Sequence, residues 1–236
     1  MQALHRLVWR DPARRARKLL DFAETEADGG RDLVRAAELT QDPVLRRLYT
    51  VHAADEERHA ALFRARGTQL LRTLPDPSLM KSAMNWAAPG ERGLDDLRVD
   101  EKSDASLLAF LHLSEKTAAR HFTAYVGALR DDPPTSAVFR EILQDETFHM
   151  NYTLAQLNRV AAGQKGAYLW RARMGRLWKA YLRIMSAIAG VIGSVMLILQ
   201  YFILIPPFAL MAKWSERREP QGWRPAEKER PLKSQY

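Results

Sequence analysis

Two short motifs in this sequence place a carboxylate and an imidazole at a spacing that suits metal binding. Glu56 and His59 lie three residues apart, and Glu146 and His149 repeat the pattern. Residues three apart share one face of an α-helix, so both side chains of a pair point the same way. In one class of four-helix bundles, two such pairs and one Glu from each of the other two helices enclose two metal ions. The motifs therefore predict a metal site if each of the other two helices has a Glu on its inward, apolar face.

Two Glu residues meet this condition. Glu26 lies in phase with Leu19 and Leu33 on the apolar face of a first helix, and Glu115 lies in phase with Leu111 in a third. They precede their Glu-x-x-His motifs by 30 and 31 residues, and the two halves are offset by 89 to 90 residues. This indicates an internal repeat of two helical hairpins. Because unpaired carboxylates on an apolar face are costly, surface charges that repeat by chance are the weaker interpretation.

The predicted metal ligands are four carboxylates and two imidazoles: Glu26, Glu56, His59, Glu115, Glu146 and His149. This hard, oxygen-rich set suits two iron ions, with manganese as the alternative. Glu56 and Glu146 would bridge the ions and are the predicted catalytic residues. Glu26 with His59 would complete one ion, and Glu115 with His149 would complete the other.

Several neighbours are predicted to support these ligands. Asp55 and Asp145 precede the two bridging Glu residues, and each would accept the second ring N–H of a ligand His. Arg58 would neutralise the acidic cluster. Tyr49, two turns before Glu56 on the same face, is either a Tyr beside the metals or a core Tyr, and the core position is favoured. Four other histidines have no partner at ligand spacing and are interpreted as surface or satisfied core residues: His5, His52, His112 and His121.

The composition excludes several classes of protein. The 236 residues include no cysteine, which excludes disulfides, iron–sulfur clusters and a rubredoxin-type iron centre. Residues 1–163 hold 23 Lys and Arg against 24 Asp and Glu, whereas residues 164–236 hold 13 against 4. The net charge of +8 therefore belongs to the C-terminal part. The bundle is not predicted to bind nucleic acid, and the basic part is predicted to meet anionic lipid.

The first 163 residues are predicted to form an all-α bundle of four helices. Helix 1 runs from Asp11-Pro12 to about Leu39, and helix 2 runs from Asp42-Pro43 to about Leu74. Helix 3 covers about 103–130 and helix 4 about 135–162, with Gly163 as the C-cap. Gly29 and Gly30 predict a close helix approach or room beside the metals.

A long crossover over residues 75–104 joins helices 2 and 3. Thirty irregular residues usually count against an assignment within a compact domain, but this bundle topology requires one long connection. Its apolar residues are predicted to pin it to the bundle: Trp86, Leu94, Leu97 and Val99.

The rest of the chain is predicted to attach the bundle to a membrane. Residues 164–183 form a basic amphipathic segment whose cations would contact lipid: Arg171, Arg173, Arg176, Lys179 and Arg183. Residues 184–212 carry no charge and include a membrane-spanning helix that Pro206 and Pro207 would break, and residues 213–236 form a basic tail. A re-entrant anchor that ends at the two prolines is the alternative.

Two further features bear on topology and assembly. The first ten residues lack the apolar core of a signal peptide, and the basic residues precede the span, so the bundle is expected on the cytoplasmic side of the inner membrane. Ser186, Gly190 and Ser194 recur every four residues, which favours close helix pairing and predicts a homodimer.

Over about residues 12–163 the sequence resembles the ferritin-like di-iron carboxylate superfamily, and rubrerythrin-type domains in particular. The residues that carry the resemblance are Glu26, Glu56-x-x-His59, Glu115 and Glu146-x-x-His149. The Asp55-Glu56-x-Arg58-His59 string also resembles the motif of bacterial di-iron oxygenases. The sequence departs from rubrerythrins in having no rubredoxin centre and no clear seventh Glu ligand.

Three functions follow from this resemblance and from the predicted anchor. The first is a membrane-tethered di-iron ferroxidase or peroxidase that uses O2 or peroxide and an external electron donor. The second is an O2-dependent oxygenase that acts on a lipophilic substrate such as a quinone or lipid. An apolar tunnel would favour the oxygenase, and a purely polar entrance would count against it. The third is a metal-binding membrane scaffold without catalysis.

Overall fold

A computed structural model describes residues 9–74 and 97–216, and these residues form five α-helices and one 3-10 turn. The helices are α1 (Pro12–Leu39), α2 (Pro43–Arg72), α3 (Asp104–Ala128), α4 (Pro133–Val160) and α5 (Lys165–Glu216), with a 3-10 turn at Val99–Glu101 before α3. No strand occurs in the described ranges, so the all-α prediction is confirmed. The predicted crossover, with Trp86 and Leu94, lies largely outside the described residues, as do His5 and the tail beyond 216.

Helix starts are set by side chains that accept hydrogen bonds from the first free N–H groups. Asp11 accepts from the N–H groups of Ala13 and Arg14, and Asp42 accepts from those of Val44 and Leu45. A proline follows each cap, where its fixed φ suits the first helical position. Ser103 and Asp132 cap α3 and α4 in the same way, so all four starts lie within two residues of the predicted ones.

Short connections pair α1 with α2 and α3 with α4, and α2 also packs on α4. Two apolar layers hold these helices together, and each of the four helices contributes to both. The first layer includes Leu33, Leu45, Tyr49, Leu108 and Leu157, and the second is aromatic and includes Trp9, Phe63, Phe122, Tyr125 and Phe139. Leu97 and Val99, predicted to pin the crossover, are buried in the first layer. Between the two layers, each helix carries its predicted metal ligands.

The predicted close helix approach at the Gly pair in α1 is confirmed. A Cβ at Gly30 would lie 3.3 Å from the carbonyl oxygen of Ala53, so this glycine allows α1 to approach α2 closely. A Cβ at Gly29 would lie 3.8 Å from Glu56 Oε2, so this glycine leaves space beside a predicted ligand.

The C-terminal helix is continuous from Lys165 to Glu216 with Pro206 and Pro207 inside it. The predicted break at these prolines is therefore wrong. Proline removes a hydrogen bond and crowds the preceding turn, but its φ is close to the helical value, so the backbone can continue with two bonds missing. The chain divides into two compact units between Lys179 and Ala180, so the first turns of α5 belong to the unit that holds the other helices.

The second unit contains an apolar helix that is long enough to cross a membrane by length and composition. From Ile184 to Ser215 every side chain is exposed, including Leu197 and Phe202, each at 68%. An apolar surface of this extent normally marks contact with lipid or with another chain.

Gly67 provides a test of the packing between α1 and α2. A Cβ there would lie 2.9 Å from Leu20 Cγ and 3.1 Å from the carbonyl oxygen of Ala16. We expect Gly67→Ala to reduce the free energy of unfolding by about 1 kcal/mol, because overpacking at about 1–3 kcal/mol exceeds the gain in helix propensity. Gly127→Ala, whose Cβ would meet nothing within 4 Å, is the control and should stabilise by about 0.5–1 kcal/mol. Thermal unfolding in detergent measures both, and equal effects would contradict the close approach.

Candidate metal centre

The structure brings all six predicted ligands together between the two apolar layers, and it adds His52. These side chains form two groups whose candidate ligand atoms lie within 4.8 Å of one another. The two-imidazole group contains His52, Glu56, Glu115 and His149. The one-imidazole group contains Glu26, Glu56, His59 and Glu146. Glu56 belongs to both groups, and all seven side chains are buried except Glu26, which is half-buried.

Two aspartates hold the repeated histidines across the hairpins. His59 Nε2 lies 3.1 Å from Asp145 Oδ2, and His149 Nε2 lies 3.1 Å from Asp55 Oδ2. Each aspartate therefore serves the His of the other hairpin. A carboxylate at Nε2 favours the tautomer with its proton there, which leaves the lone pair on Nδ1.

The Nδ1 atoms of His59 and His149 are buried and have no hydrogen-bond partner among the described residues, and the same holds for Glu146 Oε2. His59 Nδ1 lies 3.9 Å from Glu146 Oε1, and His149 Nδ1 lies 3.9 Å from Glu56 Oε1. Buried polar atoms normally have a hydrogen-bond partner. Here the Nδ1 lone pairs of His59 and His149 face carboxylate oxygens at a distance too long for a hydrogen bond. A cation is the species that would satisfy nitrogen and oxygen acceptors together, so these residues fit a metal.

Arg58 connects the two aspartates. Its guanidinium donates to Asp145 Oδ2 at 2.6 Å and to Asp55 Oδ1 at 3.3 Å, and it also reaches Glu141. Burial acts to raise the pKa of Asp145, but the hydrogen bonds from Arg58 and His59 outweigh it and lower this pKa below its ordinary value. The arginine thereby keeps Asp145 ionised, as an acceptor for the His59 ring.

The inner carboxyls show the cost of burial most clearly. Burial raises the pKa of Glu56 to about 8, and it raises the pKa of Glu26 and of Glu146 well above the ordinary value. Glu56 lies beside Glu26, and Glu115 and Glu56 lie beside Glu146, and these neighbouring carboxyls raise the pKa of Glu26 and of Glu146 further. Burial lowers the pKa of His149 to about 4, so this imidazole is neutral near pH 7. The cluster thus keeps its buried charge small with protons, and divalent cations would compensate the same charge.

His52 is the site residue that reasoning from the sequence missed. Its Nε2 lies 2.9 Å from Glu56 Oε1, and its Nδ1 lies 2.7 Å from the hydroxyl of Tyr152. The sequence interpreted His52 as a surface or satisfied core histidine, and it is buried with both ring nitrogens bonded. Its partner Glu56 also brings it into the cluster, because residues four apart are neighbours on one helix face. The spacing from His52 to Glu56 was the available signal.

The structure also shows the surroundings of three other residues that the sequence singled out. Tyr49 occupies the favoured core position, with its hydroxyl 3.5 Å from Asp104 rather than at the cluster. His112 is a satisfied core residue whose Nδ1 bonds to the carbonyl of Met150, and His121 is at the surface.

The five cations predicted to contact lipid all lie on α5, but Arg176 differs from the rest. Its guanidinium donates to the carbonyls of Leu113 and Phe110 and to Ser114 Oγ, all on α3. These bonds tie the first turns of α5 to the bundle. Of the other four, Arg171, Arg173 and Lys179 lie with Arg176 in the first turns of α5, and Arg183 lies beyond them in the second unit.

A cavity of about 770 Å³ opens beside the cluster. Four carboxyl ligand candidates line it, Glu26, Glu56, Glu115 and Glu146, and Asp28 and Asp32 add further acidic residues from α1. The remaining wall is largely apolar: Leu33, Leu97, Leu107, Phe110, Leu111 and Ala118. The cavity is therefore neither purely polar nor purely apolar, and it is large enough for a small organic molecule.

Comparisons of this chain with protein-family models, with curated proteins and with solved structures found no match. The assignment of a function therefore depends on the site itself.

The raised pKa of Glu56 predicts how pH affects the metal-free protein. Above about pH 6.5, Glu56 and the histidines are deprotonated in the unfolded chain. In the folded protein, Glu56 keeps its carboxyl proton up to about pH 8. Folding then binds protons, so stability should fall as pH rises through this window. Glu56→Gln should make the free energy of unfolding less dependent on pH, by up to about 1.4 kcal/mol per pH unit. Glu57→Gln, at an exposed position, should leave this pH dependence unchanged. Chemical unfolding at several pH values checks this, and equal slopes would contradict the assignment.

The cross-hairpin contact between Asp145 and His59 predicts a loss of metal affinity. Asp145→Asn keeps the size of the side chain but removes the negative charge that holds the His59 ring. We expect about a 10- to 100-fold weaker metal affinity, measured by competition with a chelator. Glu141→Gln, which removes a different Arg58 partner at 54% exposure, is the matched control. Equal affinity in the two variants would show that the aspartate does not support the metal site.

Proposed function

We propose that the first unit is a ferritin-like bundle that holds two iron ions, and that the protein is a membrane-tethered di-iron oxidoreductase of the rubrerythrin or ferritin kind. Its reaction would be the oxidation of ferrous iron or the reduction of peroxide. The proposal depends on the two groups of candidate metal ligands that share Glu56. The Nδ1 lone pairs of His59 and His149 within them have no hydrogen-bond partner among the described residues.

The ferritin-like assignment is supported by the order of elements. Each hairpin supplies a Glu on its first helix and a Glu-x-x-His motif on its second, which is the ligand pattern of di-iron bundles. The long connection between α2 and α3 agrees with that topology. The metal-ligand roles proposed here are those of Glu26, Glu56, His59, Glu115, Glu146 and His149.

Each part of the site has a defined task in this proposal. Two ferrous ions, when bound, supply two electrons to O2 or peroxide. Glu56 would contact both ions, since it belongs to both groups, and Glu146 belongs to the one-imidazole group. Asp55 and Asp145 hold the imidazoles, and the apolar layers on both sides exclude bulk water.

The substrate and the electrons must come from outside the bundle. The cavity gives a small oxidant access to the inner carboxylates, and its acidic residues favour the approach of ferrous ions. The chain has no cysteine, so a rubredoxin-type centre cannot supply electrons from within it. Peroxide reduction would therefore require a separate donor protein or a reduced small molecule, whereas in ferrous-iron oxidation the iron substrate itself supplies the electrons.

The apolar helix would place this chemistry at a membrane. We propose a single-pass anchor in the inner membrane with the bundle in the cytoplasm, because basic residues precede the span with no acid among residues 164–183. The continuous helix through Pro206 and Pro207 supports a span over a re-entrant loop. The small-residue spacing at Ser186, Gly190 and Ser194 supports a homodimer through this helix.

The apolar wall of the cavity supports one other function. An O2-dependent oxygenase needs room for an organic substrate beside the metals, and side chains such as Leu33 and Phe110 offer an apolar surface there. The adjoining carboxylates make the cavity less suited to a wholly apolar ligand than to one with a polar end. We therefore place the oxygenase second.

Metal content and spectroscopy of the detergent-purified protein test the proposal. We expect about two irons per chain and near-ultraviolet absorption that bleaches on reduction and returns with O2 or peroxide. Glu56→Ala should lose most of the iron because both groups share this side chain, whereas exposed Glu57→Ala should keep it.

The oxidant that restores the absorption faster distinguishes peroxide chemistry from O2 chemistry. A protein that holds no iron, or holds it equally well after Glu56→Ala, would overturn both enzyme functions.

A further inference from the structure

The internal repeat makes the two halves of the site nearly equivalent, except at one position. Glu26, Glu56 and His59 have counterparts 89 to 90 residues later, at Glu115, Glu146 and His149. Ninety residues after His52, however, the chain has Ile142, which is fully buried in the aromatic layer. A third imidazole therefore enters the cluster from one hairpin only.

The contacts of His52 direct one nitrogen at the cluster. Its side chain is 1% exposed, and its ring stacks on His149 with 3.6 Å between ring centroids. Nε2 lies 2.9 Å from Glu56 Oε1 and 3.7 Å from Glu115 Oε1. Nδ1 is occupied by the hydroxyl of Tyr152, and the repeat counterpart of Tyr152 is Leu62.

His52 and Tyr152 form a pair that has no equivalent at the repeat positions. If Nδ1 donates its proton to the Tyr152 oxygen, the lone pair of Nε2 points between Glu56 and Glu115. The arrangement is the reverse of His59, whose Nε2 faces an aspartate and whose Nδ1 faces the cluster. Tyr152 thus bonds to the His52 nitrogen that faces away from the cluster, as Asp145 does for His59.

We propose that His52 is a seventh metal ligand and that it makes the two metal positions unequal. The two-imidazole group then binds divalent ions more tightly and fills first, and the one-imidazole group fills second. This inference rests on the proposed function only in requiring that metal ions bind at the cluster.

Ligand chemistry sets the direction of the difference. Imidazole favours later first-row ions such as Co²⁺ over Mn²⁺, whereas carboxylate suits Mn²⁺ comparatively well. The two-imidazole group should therefore show the larger preference for Co²⁺. The gap between the first and second binding steps should be wider with Co²⁺ than with Mn²⁺.

Calorimetric titration of the metal-stripped, full-length protein in detergent tests this inference, with Co²⁺ and Mn²⁺ as the probes. The wild-type protein should bind Co²⁺ in two resolved steps. His52→Ile, which installs the residue type found at the repeat position, should weaken the tighter step by at least about 10-fold and leave the other step. His112→Ile is the matched control, since His112 is a buried histidine bonded to a backbone carbonyl, and it should retain both steps.

Tyr152→Phe serves as a second variant in case His52→Ile impairs folding, which thermal unfolding would reveal. It keeps the ring and removes only the hydroxyl at Nδ1, so the tighter step alone should weaken, by about 10-fold. Visible absorption of bound Co²⁺ should change in both variants, because the ligand field at the two-imidazole position changes.

The outcomes separate the two proposals. Two Co²⁺ ions bound with equal affinity, or two steps unchanged by His52→Ile and Tyr152→Phe, would overturn the role of His52 and leave the di-metal centre intact. No Co²⁺ binding by the wild-type protein would overturn the di-metal centre itself, and His52 as a ligand with it.

Discussion

Seven ionisable side chains share one layer in the middle of the bundle, with apolar layers on both sides, and their charge must be balanced inside the protein. Isolated buried charges are too costly to persist. In the metal-free protein the raised pKa values of Glu26, Glu56 and Glu146 and the neutral imidazoles keep this charge small, and divalent cations would balance it in the loaded protein. The small residues in α1, the aspartates behind the histidines and the arginine between the aspartates all serve this constraint.

The two hairpins contribute different residues to the contacts that hold the candidate ligands. Both supply an aspartate for a histidine of the other hairpin, so the site exists only when the hairpins have packed together. Arg58 on α2 serves both aspartates, whereas its repeat counterpart, Phe148, is 52% exposed. His52 and Tyr152 likewise have apolar counterparts. A duplicated framework has therefore become asymmetric at its outer contacts while its six central positions remain equivalent.

The long helix packs on α3 through its first turns and takes no part in the candidate metal cluster. Its first turns are held to α3 through Arg176, and its apolar part contributes no residue to the cluster. The apolar cavity wall and the proposed anchor are the two features that a substrate with an apolar part would use.

Local periodicity in the sequence was sufficient to predict the helices and the positions of the six central side chains. Aspartate–proline caps act within one turn, and Glu-x-x-His places two side chains on one face wherever the helix lies. Tertiary structure alone decided that Asp55 contacts His149 and Asp145 contacts His59, that His52 contacts Tyr152, and that Tyr49 contacts Asp104. These contacts join residues 55 to 100 positions apart and depend on how each helix is rotated against its neighbours, which no single-helix pattern records. The continuous passage through Pro206 and Pro207 was likewise beyond a local rule, because the rule describes the cost of proline and not whether a long helix can tolerate it.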